Sequence, residues 1–175
     1  MMKKVFFFFL SLIIAIPAFC GTKLLTGDFS QVLKAGDIPV TLDWSNAVYK
    51  KAGTLDDFLA IAPRNEKWES ESLSFFIHET NKKSSEYGTR LVEKKSENDS
   101  PYQIVIEVSK ITGGGDIEGI IRLISQATKD ELATVKFSSD ESDDDDKIAF
   151  KDQLENIGEN FGSILKKQLK KAYKK

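Results

Sequence analysis

The residues best suited to chemistry in this sequence are its carboxylates. Asp140, Glu141, Ser142, Asp143, Asp144, Asp145 and Asp146 run together, and carboxylate oxygens are the hard ligands that calcium takes. An EF-hand loop needs acids at alternate positions, glycine sixth and glutamate twelfth. Counting from Asp140 puts Asp145 sixth and Lys151 twelfth; counting from Asp144 puts Glu155 twelfth but Ile148 fifth and Ala149 sixth. Neither register fits, and the run reads as a solvated loop that stabilises a helix N-terminus.

Two carboxylate pairs, Asp56 with Asp57 and Asp116 with Glu118, match glycosidase chemistry by type, but spacing alone does not set two acids across a sugar. His78 is the single histidine; on a helix it would share a face with Ser74 and adjoin Glu79. Nucleophilic catalysis would need a serine on an exposed elbow such as Gly-x-Ser-x-Gly, which is absent. Gly113, Gly114 and Gly115 could expose N–H groups to an anion. Phosphate loops lead into a helix, however, whereas these glycines lie between two strand-like runs and read as a hairpin connection. Trp44 and Trp68 sit in apolar patterns and read as core. No catalytic, cofactor-binding or metal-ligating residue is assigned on these grounds, and no cofactor is expected.

Lys166, Lys167, Lys170, Lys171, Lys174 and Lys175 make the C-terminus basic. Polybasic amphipathic helices touch anionic lipid, but this helix must also bury an apolar stripe, and lysines suit the negative end of its dipole. Membrane contact is therefore the minor reading. The formal net charge of −2 offers none of the basic surface that nucleic acid requires.

The elements that must position these residues begin with an export segment. Lys3 and Lys4 precede an unbroken apolar run over residues 5–16, then Pro17 and small residues, the order of a signal peptide. The run is too short to span a bilayer comfortably. Ala18 and Cys20 fit the minus-three and minus-one positions, so the mature chain is expected to begin at Gly21. In the competing route Cys20 becomes a lipidated first residue; bulky Phe19 beside the scissile bond favours ordinary cleavage. The mature chain then has no cysteine, and so no disulfide or thiolate metal site. The roughly 155 residues that remain suit one domain, residues 21–175.

Within that domain, Asp28 and Gly36 bound a single helical turn, with Asp28 as N-cap, Gln31 in the reciprocal capping position and positive φ at Gly36. Residues 38–49 alternate and read as one strand, with Ile38, Val40, Leu42, Trp44 and Val48 inward; Pro39 suggests an edge or a strand beginning. A helical layer broken at Pro63 spans residues 55–81, and residues 90–95 form a short exposed strand. Three further strands, at residues 102–111, 117–125 and 132–137, follow across short turns as an antiparallel meander. Last comes a helix over residues 147–173 whose stripe is Phe150, Leu154, Ile157, Phe161, Ile164, Leu165 and Leu169. Gly158 and Gly162, one turn apart, are expected to let it approach the sheet closely. The fold class is α+β: a mostly antiparallel five-stranded sheet with one broken helix and one long C-terminal helix packed on one face.

The chain resembles a set of small, uncharacterised, signal-peptide-bearing envelope or secreted proteins of Gram-negative bacteria. The likeness lies in Leu25-Thr26-Gly27-Asp28, Val40-Thr41-Leu42-Asp43-Trp44-Ser45-Asn46, Asp56-Asp57-Phe58-Leu59 and Phe161-Gly162 with Leu165-Lys166-Lys167. It implies an envelope protein and brings no catalytic residues with it. The expected function is an exported, periplasmic or secreted, non-catalytic binding or scaffolding module for an envelope protein or glycan. The alternative is a carboxylate-dependent hydrolase of envelope sugar or peptide.

Overall fold

Alternation of apolar and polar residues turns Tyr102–Ile111 into β5, Ile117–Ser125 into β6 and Glu131–Ser138 into β7, because a period of two places one set of side chains on one face. The computed structural model describes residues 21–49, 68–95, 99–111, 116–139 and 150–175. In it the meander forms the middle of the sheet: β5 pairs antiparallel with β6, and β6 with β7. Ile104 lies opposite Leu123, Ile106 opposite Ile121, and Ile121 opposite Val135, so the buried residues of all three strands share a face. Gly119, between Val108 and Phe137 in the register, leaves room there: a Cβ on it would stand 2.6 Å from the Phe137 ring and 2.0 Å from the Glu107 carbonyl oxygen.

Four more strands flank this core: β1 (Gly21–Gly27), β2 (Gly36–Asp43), β3 (Val48–Tyr49) and β4 (Thr89–Glu93). The sheet is seven-stranded and mixed, in the order β1-β7-β6-β5-β2-β4, with β3 also pairing with β5. The expectation of five mostly antiparallel strands is corrected in two ways. β2 pairs parallel with both β4 and β5, and β3 parallel with β5; and β1 adds an antiparallel strand outside β7.

The single strand expected over residues 38–49 is split. Asp43 Oδ1 accepts the Ser45 N–H at 2.8 Å, and the Ala47 N–H donates to the Trp44 carbonyl at 2.9 Å. This turn ends β2 and shifts the phase. Val48, expected inward, is consequently 54% exposed, while Tyr49 is buried. Pro39 lies inside the sheet, one residue before the β5 ladder starts at Val40 opposite Ile104, where β2 is still unpaired on that side. The short strand expected over residues 90–95 is β4, and Arg90, Glu93, Lys94 and Lys95 are exposed as expected; Leu91 is the exception, buried because β4 lies beside β2 and packs against a helix.

Two helices complete the described chain, α1 (Trp68–Ser84) and α2 (Phe150–Tyr173). α1 runs past the expected end at residue 81, and a 3-10 turn, Ser85–Tyr87, follows before Gly88 reverses the chain at φ 70°. Leu154, Ile157, Phe161, Leu165 and Leu169 are buried as the stripe requires, and Leu73 and Phe76 of α1 join them and the inward sheet residues in one cluster. The Phe161 ring lies 5.7 Å from Phe76 and 5.3 Å from Phe29. The first half of the broken helical layer, residues 55–67, lies outside the described residues.

Gly158 and Gly162 do permit a close approach, but the surface approached is α1, not the sheet. A Cβ on Gly158 would come within 2.6 Å of the Phe76 carbonyl oxygen, and one on Gly162 within 3.1 Å of Thr80 Cα. The Thr80 hydroxyl donates to the Gly158 carbonyl at 3.1 Å. Contacts advance in step along both chains, so the helices run in the same direction.

Candidate functional site

The last turns of α2 carry Gln168, Lys171 and Ala172 at i, i+3 and i+4, which places them on one face, and Lys175, just past the helix end, is tied back by its N–H to the Ala172 carbonyl at 3.2 Å. Opposite stands the chain between β1 and β2. Gly27, at φ 74°, ends β1 so close to β7 that a Cβ would sit 2.0 Å from the Leu132 carbonyl oxygen; only glycine fits this exit. Asp28 then caps the 3-10 turn Phe29–Val32 as expected: its Oδ1 accepts the Ser30 N–H at 2.7 Å and its Oδ2 accepts the Ser30 hydroxyl at 2.8 Å. Gly36 has the expected positive φ, 72°. The Phe29 N–H donates to Gln168 Oε1 at 2.6 Å, tying the turn to α2, while Phe29 and Val32 plunge into the core.

Between these two walls lies a groove of about 380 Å³, lined by Gly27, Asp28, Ser30, Gln168, Lys171, Ala172 and Lys175. The Lys171 and Lys175 ammonium groups have no partner among the described residues. Gln168, with its oxygen held by Phe29, keeps its Nε2 donors for a ligand, and each Asp28 oxygen keeps accepting capacity beside its bond to Ser30. The groove thus offers cationic and amide donors beside one carboxylate and one hydroxyl. Such a set is chemically suited to a polar ligand carrying negative charge. The lining of the groove holds no second acidic side chain and no histidine.

A smaller recess of about 240 Å³ opens between β2, β4 and α1, lined by Val40, Thr41, Leu42, Ser70, Leu73, Glu93 and Lys94. Gln103 stiffens its rim: its Nε2 donates to Thr41 Oγ1 at 3.1 Å, and its Oε1 accepts from Lys94 at 3.3 Å and from Gln126. Here too one carboxylate, Glu93, stands alone.

The residues singled out above are dispersed. Asp140 to Asp146 in the acidic run, Asp56, Asp57, Gly113, Gly114, Gly115 and Cys20 lie outside the described residues. The strands on either side of the three-glycine segment pair antiparallel, with Ile111 opposite Ile117. Glu118 is ion-paired with Lys110 across that pair. His78 is exposed, 65% by side chain, with Nε2 3.9 Å from Glu79 Oε1; no hydrogen bond joins it to Ser74, and Glu79 is held by Lys82. Trp44 is buried in the core. Of the C-terminal lysines, Lys166 bonds Glu86 at 2.8 Å, a contact that lowers the Glu86 carboxyl and raises the Lys166 ammonium from their usual values. On that flank Lys34 stands 5.4 Å over the Tyr173 ring, and Tyr87 meets Tyr173 edge-on.

Asp28 was legible as a cap and Lys171 and Lys175 as part of a basic end, but nothing joined them. The available signal was Gln168, a lone amide among lysines and three and seven residues ahead of two of them.

No protein-family model matches the chain, and no curated protein sequence matches it. Among solved structures, the chain is similar to the PelC dodecamer from Paraburkholderia phytofirmans, at 10% identity and a TM-score of 0.44 over 85% of this chain and 95% of that one. It is also similar to protein XCC0632 from Xanthomonas campestris, of the family model DUF330, at 14% identity and a TM-score of 0.38 over 90% and 99% of the two chains. A third likeness, at 8% identity and a TM-score of 0.37, is to an uncharacterised protein. Likenesses this low carry no argument about what this chain binds.

Proposed function

We propose that the protein is an exported, non-catalytic binding module, directed out of the cytoplasm by residues 1–20, and that the groove between the Asp28 turn and α2 is its ligand site. The observation that supports this reading is the composition of the groove: free ammonium and amide donors face a carboxylate and hydroxyl, with no pair of acids to share acid and base roles. Export is supported by the order of charge, apolar run and small residues before Gly21, and no helix among the described residues is long and apolar enough to cross a membrane.

The test is an affinity pull-down from Gram-negative envelope extract with the chain from Gly21, beside the Lys171→Glu/Lys175→Glu variant. A saturable partner captured by the first and lost by the second is expected; recovery of nothing by either rejects the module. Sequencing of the exported protein's N-terminus should begin at Gly21, and a blocked, acyl-modified Cys20 would replace ordinary cleavage with lipid anchoring.

A further inference from the structure

We infer that the groove beside α2 takes an acidic saccharide, with the sugar carboxylate on Lys171 and Lys175 and ring hydroxyls on Asp28 and Gln168. This deepens the reading of the groove as the module's ligand site and rests on it.

Charge decides the first half of the assignment. Several surface cations are met from within the chain, Arg90 by Asp37, Lys83 by Glu159, Arg122 by Glu107 and Glu131, and Lys166 by Glu86; of the exposed lysines without an ion pair among the described residues, which include Lys23, Lys167, Lys170 and Lys174, Lys171 and Lys175 are the two that line the groove. Lys171, in the last turn of α2, and Lys175, two residues past its end, have no such partner among the described residues. Both line a concave wall, so a carboxylate in the groove would meet two ammonium groups at once.

The acceptors decide the second half. Asp28 stands in the same lining, and its charge repels a compact multivalent anion such as phosphate. A carboxylate with both oxygens already accepting from Ser30 still has lone pairs for hydroxyl donors. A ligand that suits both walls therefore carries one negative group and several hydroxyls some ångströms from it, which describes a uronic-acid sugar. The geometry is also prepared: Phe29 holds the Gln168 amide by its oxygen, so its donors need no reorientation on binding. The volume of about 380 Å³ lies within the ~300–1,000 Å³ of small-ligand sites. An anionic membrane is a poorer fit to the lining as a whole, because the Asp28 carboxylate beside the lysines repels anionic headgroups.

The experiment is a ¹⁵N NMR titration of the chain from Gly21 with trigalacturonate, against maltotriose, inorganic phosphate and phosphatidylglycerol vesicles. Expected are saturable millimolar shifts at Ser30, Gln168 and Lys171 with trigalacturonate, about tenfold weaker in Lys171→Ala for one lost charge-assisted bond, and little response to the other three. The inference is overturned by an equal response to maltotriose, by tighter binding of phosphate or vesicles, by unchanged affinity in Lys171→Ala/Lys175→Ala, or by no shifts in the groove. Capture of an envelope partner that depends on those lysines but is not competed by trigalacturonate would sink the saccharide and leave the module standing. Absence of any partner would sink both.

Discussion

The carboxamide of Asn81 on α1 binds the backbone of Leu91 on β4 at both ends: Nδ2 donates to the Leu91 carbonyl at 2.8 Å, and Oδ1 accepts the Leu91 N–H at 2.7 Å. A side chain thereby takes the place of a neighbouring strand at one edge of the sheet, where unpaired amides would template association. Replacing it by alanine leaves two partly buried backbone groups without partners. Asn81→Ala should destabilise the fold by about 1–3 kcal/mol in urea unfolding and speed hydrogen exchange at Leu91. Wild-type exchange at that amide would refute the role.

Gly158→Ala should be destabilising although alanine favours an isolated helix by about 1 kcal/mol. The new methyl would lie 2.6 Å from the Phe76 carbonyl and 2.8 Å from its Cα, and backbone cannot yield as a side-chain tip does, so the helices must part at about 1–3 kcal/mol. Gly162→Ala, with 3.1 Å to Thr80 Cα, should cost less. Thermal melts of the two variants give the order, and a stabilised Gly158→Ala would disprove the close helix contact.

Phe161 joins three elements, since its ring meets Phe29 of the 3-10 turn and Phe76 of α1. Phe161→Ala should therefore cost about 3–5 kcal/mol, and because Phe29 anchors the turn that carries Asp28, it should also broaden the NMR signals of the groove. Loss of stability with unaltered groove signals would show that the turn is held by Gln168 alone.

Asp37 and Arg90 face each other across β2 and β4, in register and bonded twice, at 2.8 and 2.7 Å. Hydrogen bonding to the guanidinium holds the Asp37 carboxyl below its usual 3.8. The ion pair therefore contributes above about pH 3.8 and fades as the pH falls through the lower folded value. In Arg90→Met a carboxyl titration by NMR should move Asp37 up toward 3.8, and that part of the acid dependence of stability should flatten. An Asp37 that titrates identically in both proteins contradicts the pairing.

Local periodicity by itself determined the long elements. The stripe from Leu154 to Leu169 demanded a helix buried on one side, and the alternation in β5, β6 and β7 demanded strands with one buried face; both follow from backbone geometry that repeats within a few residues. Asp28 and Gly36 were likewise legible, because a cap and a left-handed turn are chemistry of single positions. Tertiary structure decided what those elements meet. Gly21–Gly27, with Leu24 beside Leu25 and no alternation, is a strand because β7 offers it an edge. β2 is parallel to β4 because the connection between them contains α1, the crossover that a parallel pair requires. Gly158 reads the same whether a sheet or a helix lies against it, and only packing chose α1. The groove is of that second kind: Asp28 and Lys171 lie far apart in sequence, and no local pattern records that the Phe29 N–H and the Gln168 amide bring them together.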